Sequence, residues 1–214
     1  MKSYFILAGL LFSASIQSCS QNTRSSSLIG GGCEGCVVVN KSPVPFSELT
    51  WMDTLPDFNE PGPKMVISGT VYLADGKTPA RDVVLYVYHT DQTGHYINRN
   101  NEEGWPGKQG YIKGWMKTNE KGQYKFYTLK PVAYPERNAP AHIHPVIKEA
   151  GKNEYYIDEY LFDDDPLLTA KEKGKQEQRG GSGIIQLKER NGILEGKRDI
   201  ILGLHIPNYP ESKN

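Results

Sequence analysis

Met65-Val66-Ile67-Ser68-Gly69-Thr70-Val71-Tyr72-Leu73 interleaves Val66, Ser68, Thr70 and Tyr72 with Ile67, Val71 and Leu73. Residues two apart share one face of a strand, so this stretch predicts a half-buried strand that Asp75-Gly76 ends as a turn. Val83-Val84-Leu85-Tyr86-Val87-Tyr88 is β-branched and aromatic, too short and too poor in helix formers for a helix, and predicts a buried strand. Outward from this pair, residues 110–118 and 123–129 flank Asn119-Glu120-Lys121-Gly122 as an expected hairpin. Residues 143–147, 154–161, 184–187 and 200–206 continue the series, and only 167–178 reads as helix. Short strands between Gly, Pro, Asn and Asp turns predict an all-β fold, an antiparallel β-sandwich with one short helix over residues 64–214. Pro61-Gly62-Pro63 closes an N-terminal arm, residues 28–63.

The 214 residues are 37% hydrophobic, 10% aromatic and 23% charged, a composition that excludes collagen-like, coiled-coil and disordered chains. Lys and Arg number 25 against 25 Asp and Glu, so no excess positive field exists to hold a phosphate backbone. Nucleic acid is not an expected partner, and the length suits one domain.

Met1 to Ser18 has a basic start at Lys2, an apolar run from Tyr4 to Phe12 and a small-residue exit, the layout of a signal peptide. The run is too short to remain as a membrane span, which takes about twenty residues. Its end, Ile16-Gln17-Ser18-Cys19, resembles a bacterial lipoprotein signal, which implies acylation of Cys19, a polar tether over 19–27 and an exported, lipid-anchored protein. A plain secretory signal with an incidental Cys19 is the alternative. Cys33 and Cys36 stand as Cys-x-x-Cys, with no second pair to complete a zinc site. In an oxidising compartment they are expected to form a disulfide that stiffens the arm.

Pro140-Ala141-His142-Ile143-His144 carries the strongest chemical signal. On a strand His142 and His144 point to one side, offering two imidazoles to a metal while Ile143 faces the core; the same pattern also suits an exposed polar face. No third histidine lies near in sequence, so further ligands must be of another type. Tyrosine, with 13 copies, is the abundant candidate. A phenol, with an ordinary pKa of about 10, binds as phenolate only where a strong Lewis acid such as ferric iron offsets the lost proton.

The order Tyr86-Val87-Tyr88-His89-Thr90-Asp91-Gln92-Thr93-Gly94-His95-Tyr96, Thr118-Asn119-Glu120-Lys121-Gly122-Gln123-Tyr124, Pro131-Val132-Ala133-Tyr134-Pro135 and His142-Ile143-His144 resembles the intradiol ring-cleavage dioxygenases, over residues 68–168. The resemblance implies a β-sandwich core and a non-haem Fe(III) centre. In it Tyr96 is the tyrosinate that stays on the metal, Tyr134 the axial tyrosinate that leaves when substrate binds, and His142 and His144 the equatorial and axial imidazoles. It also implies a catechol substrate cleaved by O2 between its two hydroxyls, with scavenging of aromatic compounds as the expected role.

The chain departs from the family at two places. Ala139 stands where an arginine is usual, with Arg137 two positions earlier, and Glu159 stands where a glutamine is usual. Arg137 and Glu159 are therefore candidate catalytic groups, or partners in a plain salt bridge. Trp105, Tyr111 and Trp115 are candidates to line an aromatic substrate pocket, or else pack the hairpin. Arg179-Gly180-Gly181-Ser182-Gly183 reads as a loop near the site, and Asp163-Asp164-Asp165 as a solvated turn. Two alternatives stand beside the enzyme: a non-catalytic surface lipoprotein on the same scaffold, binding a glycan, peptide or protein, and a zinc hydrolase using His142, His144 and Glu159.

Overall fold

The computed structural model describes residues 28–210; the expected signal peptide (1–18), Cys19 and the tether (19–27) lie outside the described residues. One sheet orders its strands β1 (Met52–Thr54), β5 (Gln123–Leu129), β2 (Lys64–Tyr72), β11 (Ile193–Lys197) and β10 (Lys188–Arg190), with β12 (Ile200–Ile201) also on β2. The other orders β4 (Lys113–Lys117), β3 (Val84–Tyr88), β6 (His142–Lys148), β8 (Tyr160–Phe162) and β9 (Ile184–Ile185), with β7 (Tyr155–Tyr156) also on β6. Helices among the described residues are short: a six-residue 3-10 helix at Cys36–Lys41, α1 (Gly104–Lys108) and α2 (Ala170–Lys173).

The expected sandwich is present, but its sheets are mixed. β1 runs parallel to β5, β11 and β12 run parallel to β2, and β9 runs parallel to β8. The expected hairpin at Asn119–Gly122 is a corner instead. The turn forms, with the Gly122 N–H bonded to the Asn119 carbonyl, yet β4 pairs with β3 and β5 pairs with β2. Turn chemistry is the same whether a chain doubles back or changes sheet. The expected helix over 167–178 shrinks to α2, because Gly174 interrupts it and the polar run beyond offers no apolar stripe.

Ile67, Val71, Leu85, Val87, Phe126, Ile143 and Ile147 fill the space between the sheets. A second cluster packs the arm's Cys36, Val38 and Val39 onto Val84, Tyr86, Trp115 and Val146, on the outer face of the second sheet. β3 is thus covered on both faces, which is why Val83–Tyr88 is apolar without alternation. The arm's disulfide joins Cys33 and Cys36, with Cα atoms 5.6 Å apart.

Candidate metal centre

His142 and His144 leave β6 on the same side, with Ile143 between them at 0% exposure in the core. Tyr96 sits on the loop after β3, and Tyr134 on the loop after β5. Asp91 shapes the first loop by accepting the N–H groups of Thr93 and His95 at 2.8 and 3.1 Å. Gly94 lets the two loops touch: it has φ +78°, and a Cβ there would lie 2.4 Å from the Ala133 carbonyl oxygen. The Thr90 hydroxyl donates to the Val132 carbonyl at 2.9 Å and the Gln92 amide to that of Lys130 at 2.8 Å, tying the loops together. Beneath them buried His89 bonds the Thr90 carbonyl and the Thr128 hydroxyl, each at 2.7 Å, and Thr128 bonds Asp57.

The two phenol oxygens and two imidazole nitrogens converge. Tyr96 Oη lies 2.8 Å from Tyr134 Oη and 2.9 Å from His144 Nε2. Tyr134 Oη lies 3.1 Å from His142 Nε2 and 3.4 Å from His144 Nε2, and the two Nε2 atoms are 3.1 Å apart. The other ring nitrogens fix the tautomers. His142 Nδ1 faces the Pro140 carbonyl at 2.8 Å and His144 Nδ1 faces the Glu159 carboxylate at 3.0 Å, so both Nδ1 atoms carry the proton. Both Nε2 atoms then present lone pairs to each other. Five contacts join the four atoms, and two hydroxyl protons serve only two of them.

A cation in the centre would be held by Tyr96, Tyr134, His142 and His144, each of those lone pairs serving as a ligand. Donors on bonds of about 2.0–2.1 Å to one metal stand about 2.8–3.4 Å apart at octahedral to tetrahedral angles, the spacing found here. Burial pushes the phenols of Tyr96 and Tyr134 above their ordinary range, so neither ionises unaided near neutral pH. Burial, reinforced by the His144 ring, pushes His142 down and keeps it neutral. The residues present fit a hard, highly charged cation such as ferric iron.

A protein-family model described as Dioxygenase matches residues 44–174, more than half of the chain. The beta chain of protocatechuate 3,4-dioxygenase from Burkholderia cepacia is 29% identical over 114 residues, 50% of this chain and 48% of that one. The chain belongs to the intradiol dioxygenase family. It spans about half the length of that curated relative. Among solved structures it shares its fold with catechol 1,2-dioxygenase from Acinetobacter sp. ADP1, at TM-score 0.53 and 19% identity over 71% of this chain and 56% of that one. The dioxygenase domain of a carbohydrate-binding fusion from Streptomyces sp. SirexAA-E gives the same score and identity, over 71% of this chain and 88% of that one.

Two clefts flank the four donors. One, of about 470 Å³, is lined by Gly94, His95, Tyr96, Tyr134, Pro135, Glu136 and Arg137. The other, of about 260 Å³, reaches His144 and Glu159 between Tyr88, Tyr156 and the disulfide loop. Arg137 is exposed, with its guanidinium 5.5 Å from the Tyr134 ring centre. Glu159 bonds His144, so the salt bridge between Arg137 and Glu159, one of the two sequence readings, does not form between these described residues. Although burial alone would raise it, the His144 hydrogen bond holds the Glu159 carboxyl below its usual value. Glu159 bonds Nδ1 of His144, the ring nitrogen that is not turned toward the tyrosines; one ligand atom from each of His142, His144 and Glu159 also lies within 4.8 Å of the others, so these three form a second group that could hold a metal ion.

None of Trp105, Tyr111 and Trp115 lines either cleft. Trp115 stacks on Tyr86 and donates to the Val39 carbonyl at 2.9 Å, beneath the arm. Tyr111 donates to Glu60 at 2.9 Å under the Arg99 guanidinium, and Trp105 packs against Gly35. The aromatic ring that does reach the centre is Tyr88, stacked on His144 with ring centres 4.7 Å apart. Its signal was its place two residues after Tyr86 at the open end of β3. Asp165, expected in a solvated turn, accepts the Ala141 N–H at 2.8 Å and so fixes the entry to His142. Arg179 is buried, donating to the Gly30 carbonyl at 2.9 Å behind Tyr156; after it Gly180 packs on Ile157 and Gly183 on the backbone of Glu159.

Proposed function

We propose that the chain is a non-haem Fe(III) intradiol dioxygenase that opens a catechol-type ring between its two hydroxyls with O2. The observation that carries this reading is the convergence of Tyr96, Tyr134, His142 and His144, joined by five contacts of 2.8–3.4 Å, in a member of this family. These four would hold the metal, which when bound supplies Lewis acidity to a chelating catecholate and lowers the barrier to its reaction with O2. Tyr134, whose Oη stands among the four donors, is the group positioned to take a proton from an incoming hydroxyl, and although burial raises its phenol the Arg137 charge beside its ring favours the ionised form. Glu159 and the Pro140 carbonyl keep both imidazoles in the ligating tautomer. Pro145, Val146 and Ile157 give the cleft beside His144 an apolar wall.

Export and anchoring through an acylated Cys19 form part of the same proposal; a Cys19→Ser change should abolish lipid labelling of the full chain. For the reaction, the protein is loaded with ferric iron and its visible spectrum and oxygen uptake are followed on adding catechol. A phenolate-to-iron band that shifts with catechol, with oxygen consumed and a muconate-type product, is expected. A shifting band without oxygen uptake would favour the non-catalytic scaffold, a reading supported by Ala139 and by the engagement of Glu159 with His144. A colourless protein that retains no iron would end both.

A further inference from the structure

The cleft beside His144 has an unbalanced charge. Glu34 and Glu159 both line it, and among its described lining residues there is no lysine or arginine. Arg179, the cation behind Tyr156, is 2% exposed; its guanidinium lies 3.6 Å from the Tyr156 ring centre, donates to the Gly30 carbonyl and stands 3.8 Å from Glu177. The remaining walls suit a flat ring: Tyr88, Tyr156, Pro145, Val146 and Ile157. The opposite cleft carries Arg137 as well as Glu136, so its charges balance.

Glu34 is held at this rim. It stands between the bridged Cys33 and Cys36, so its loop is closed at both ends. Gly35 has φ +80° and presses on Trp105 and Gln109, where an added Cβ would lie 2.9 and 2.8 Å away. The Gln109 amide donates to the Gly35 carbonyl at 3.1 Å, while Gln109 itself accepts from the buried Tyr86 hydroxyl at 2.6 Å. The backbone that carries the exposed Glu34 side chain is therefore already placed, which lowers the ordering cost of a contact with a ligand.

We propose that this cleft takes the substituted edge of the ring and ranks catechols by charge, preferring a cationic substituent to a neutral one and rejecting a ring carboxylate. The inference rests on the dioxygenase reading and adds the substrate class. A solvent-facing charge contact is weak, so each step in the ranking is about threefold and the span from cation to anion about tenfold. The span shrinks with added salt as Glu34 is screened.

The test is an anaerobic titration of the iron-loaded protein at low salt, read from the visible band, with 3,4-dihydroxyphenethylamine, 4-methylcatechol and 3,4-dihydroxybenzoate. Dissociation constants should rise in that order. Glu34→Gln should cut the cation-to-anion ratio about threefold, and Glu34→Lys should bring it to unity or below, with the band of the unliganded protein unchanged. Equal or tighter binding of 3,4-dihydroxybenzoate to the unmodified protein, or an unaltered ratio in Glu34→Gln, overturns the inference and leaves the dioxygenase reading standing. No spectral response to any of the three rings overturns both.

Discussion

Replacing Glu159 by Gln removes one charge and almost no volume at the back of the metal centre. The amide oxygen can still accept from His144 Nδ1 across the 3.0 Å now spanned by the carboxylate, so the ring keeps its tautomer and direction. What is lost is the charge. A hydrogen bond to a charged partner is worth about 1.5–3 kcal/mol against about 0.5–1.5 for a neutral one, a difference of about 1–1.5 kcal/mol. The Glu159 side chain is 41% exposed, so solvent screening puts the effect at the lower end, about 1 kcal/mol or fivefold in affinity for the cation. Glu159→Ala loses orientation as well and should fall within the range of about 10–100-fold typical for groups that hold a metal-binding histidine. A chelator-competition titration of iron, with the visible spectrum recorded at saturation, reads both. If Glu159→Gln bound iron as tightly as the parent with an identical band, the carboxylate would not be acting through His144, and its contact would be incidental.

Tyr134→Phe should alter the visible band while leaving the thermal midpoint within about 2 °C, since Tyr134 is half-buried on a loop and its hydroxyl bonds only the other three donors; an unaltered band would remove Tyr134 from the ligand set. Gly94→Ala places a side chain 2.4 Å from the Ala133 carbonyl at φ +78°, which should cost about 1–2 kcal/mol for the backbone alone, lower the thermal midpoint and weaken metal binding by parting the tyrosine loops. Asp165→Ala leaves the Ala141 and Leu167 N–H groups without their 2.8 Å acceptor and should cost about 1–3 kcal/mol, read as a lower denaturant midpoint. Because burial raises both phenols and keeps His142 neutral, binding one cation at pH 7 should release about two protons, countable with an indicator dye, and affinity should rise with pH; release of none would mean that the phenols stay protonated and do not ligate.

His142 and His144 were legible from spacing alone, because a strand sends alternate residues to one side and Ile143 had to go inward. Tyr96 and Tyr134 were not: nothing in 13 tyrosines separates a ligand from a core residue, and only the order of surrounding motifs singled them out. The buried run at Val83–Tyr88 announced a strand, and its lack of alternation reflects the arm lying on its outer face, a tertiary fact. Asn191-Gly192 is a strong hairpin signal, and β10 and β11 meet there. β1 is three residues long and takes its strand form from pairing with β5, so no local pattern marks it. The misplacement of Trp105, Tyr111 and Trp115 has one cause: aromatic content near a site does not say which face of which sheet it covers.

Each donor has its own support, which is what allows four lone-pair-bearing atoms to be held at contact. The Asp91 turn sets Tyr96, Gly94 and the Thr90 hydroxyl bring the Tyr134 loop against it, Asp165 fixes the start of β6 before His142, and Glu159 holds His144. These supports come from different elements, so the repulsion among the donors is carried by the whole sandwich edge rather than by one flexible loop. Binding a cation then relieves repulsion already built in, and little ordering is left to be done. It follows that damage to one support should weaken the grip on the metal without unfolding the chain, whereas damage to β6, where the two imidazoles and the Ile143 core contact share one strand, should do both.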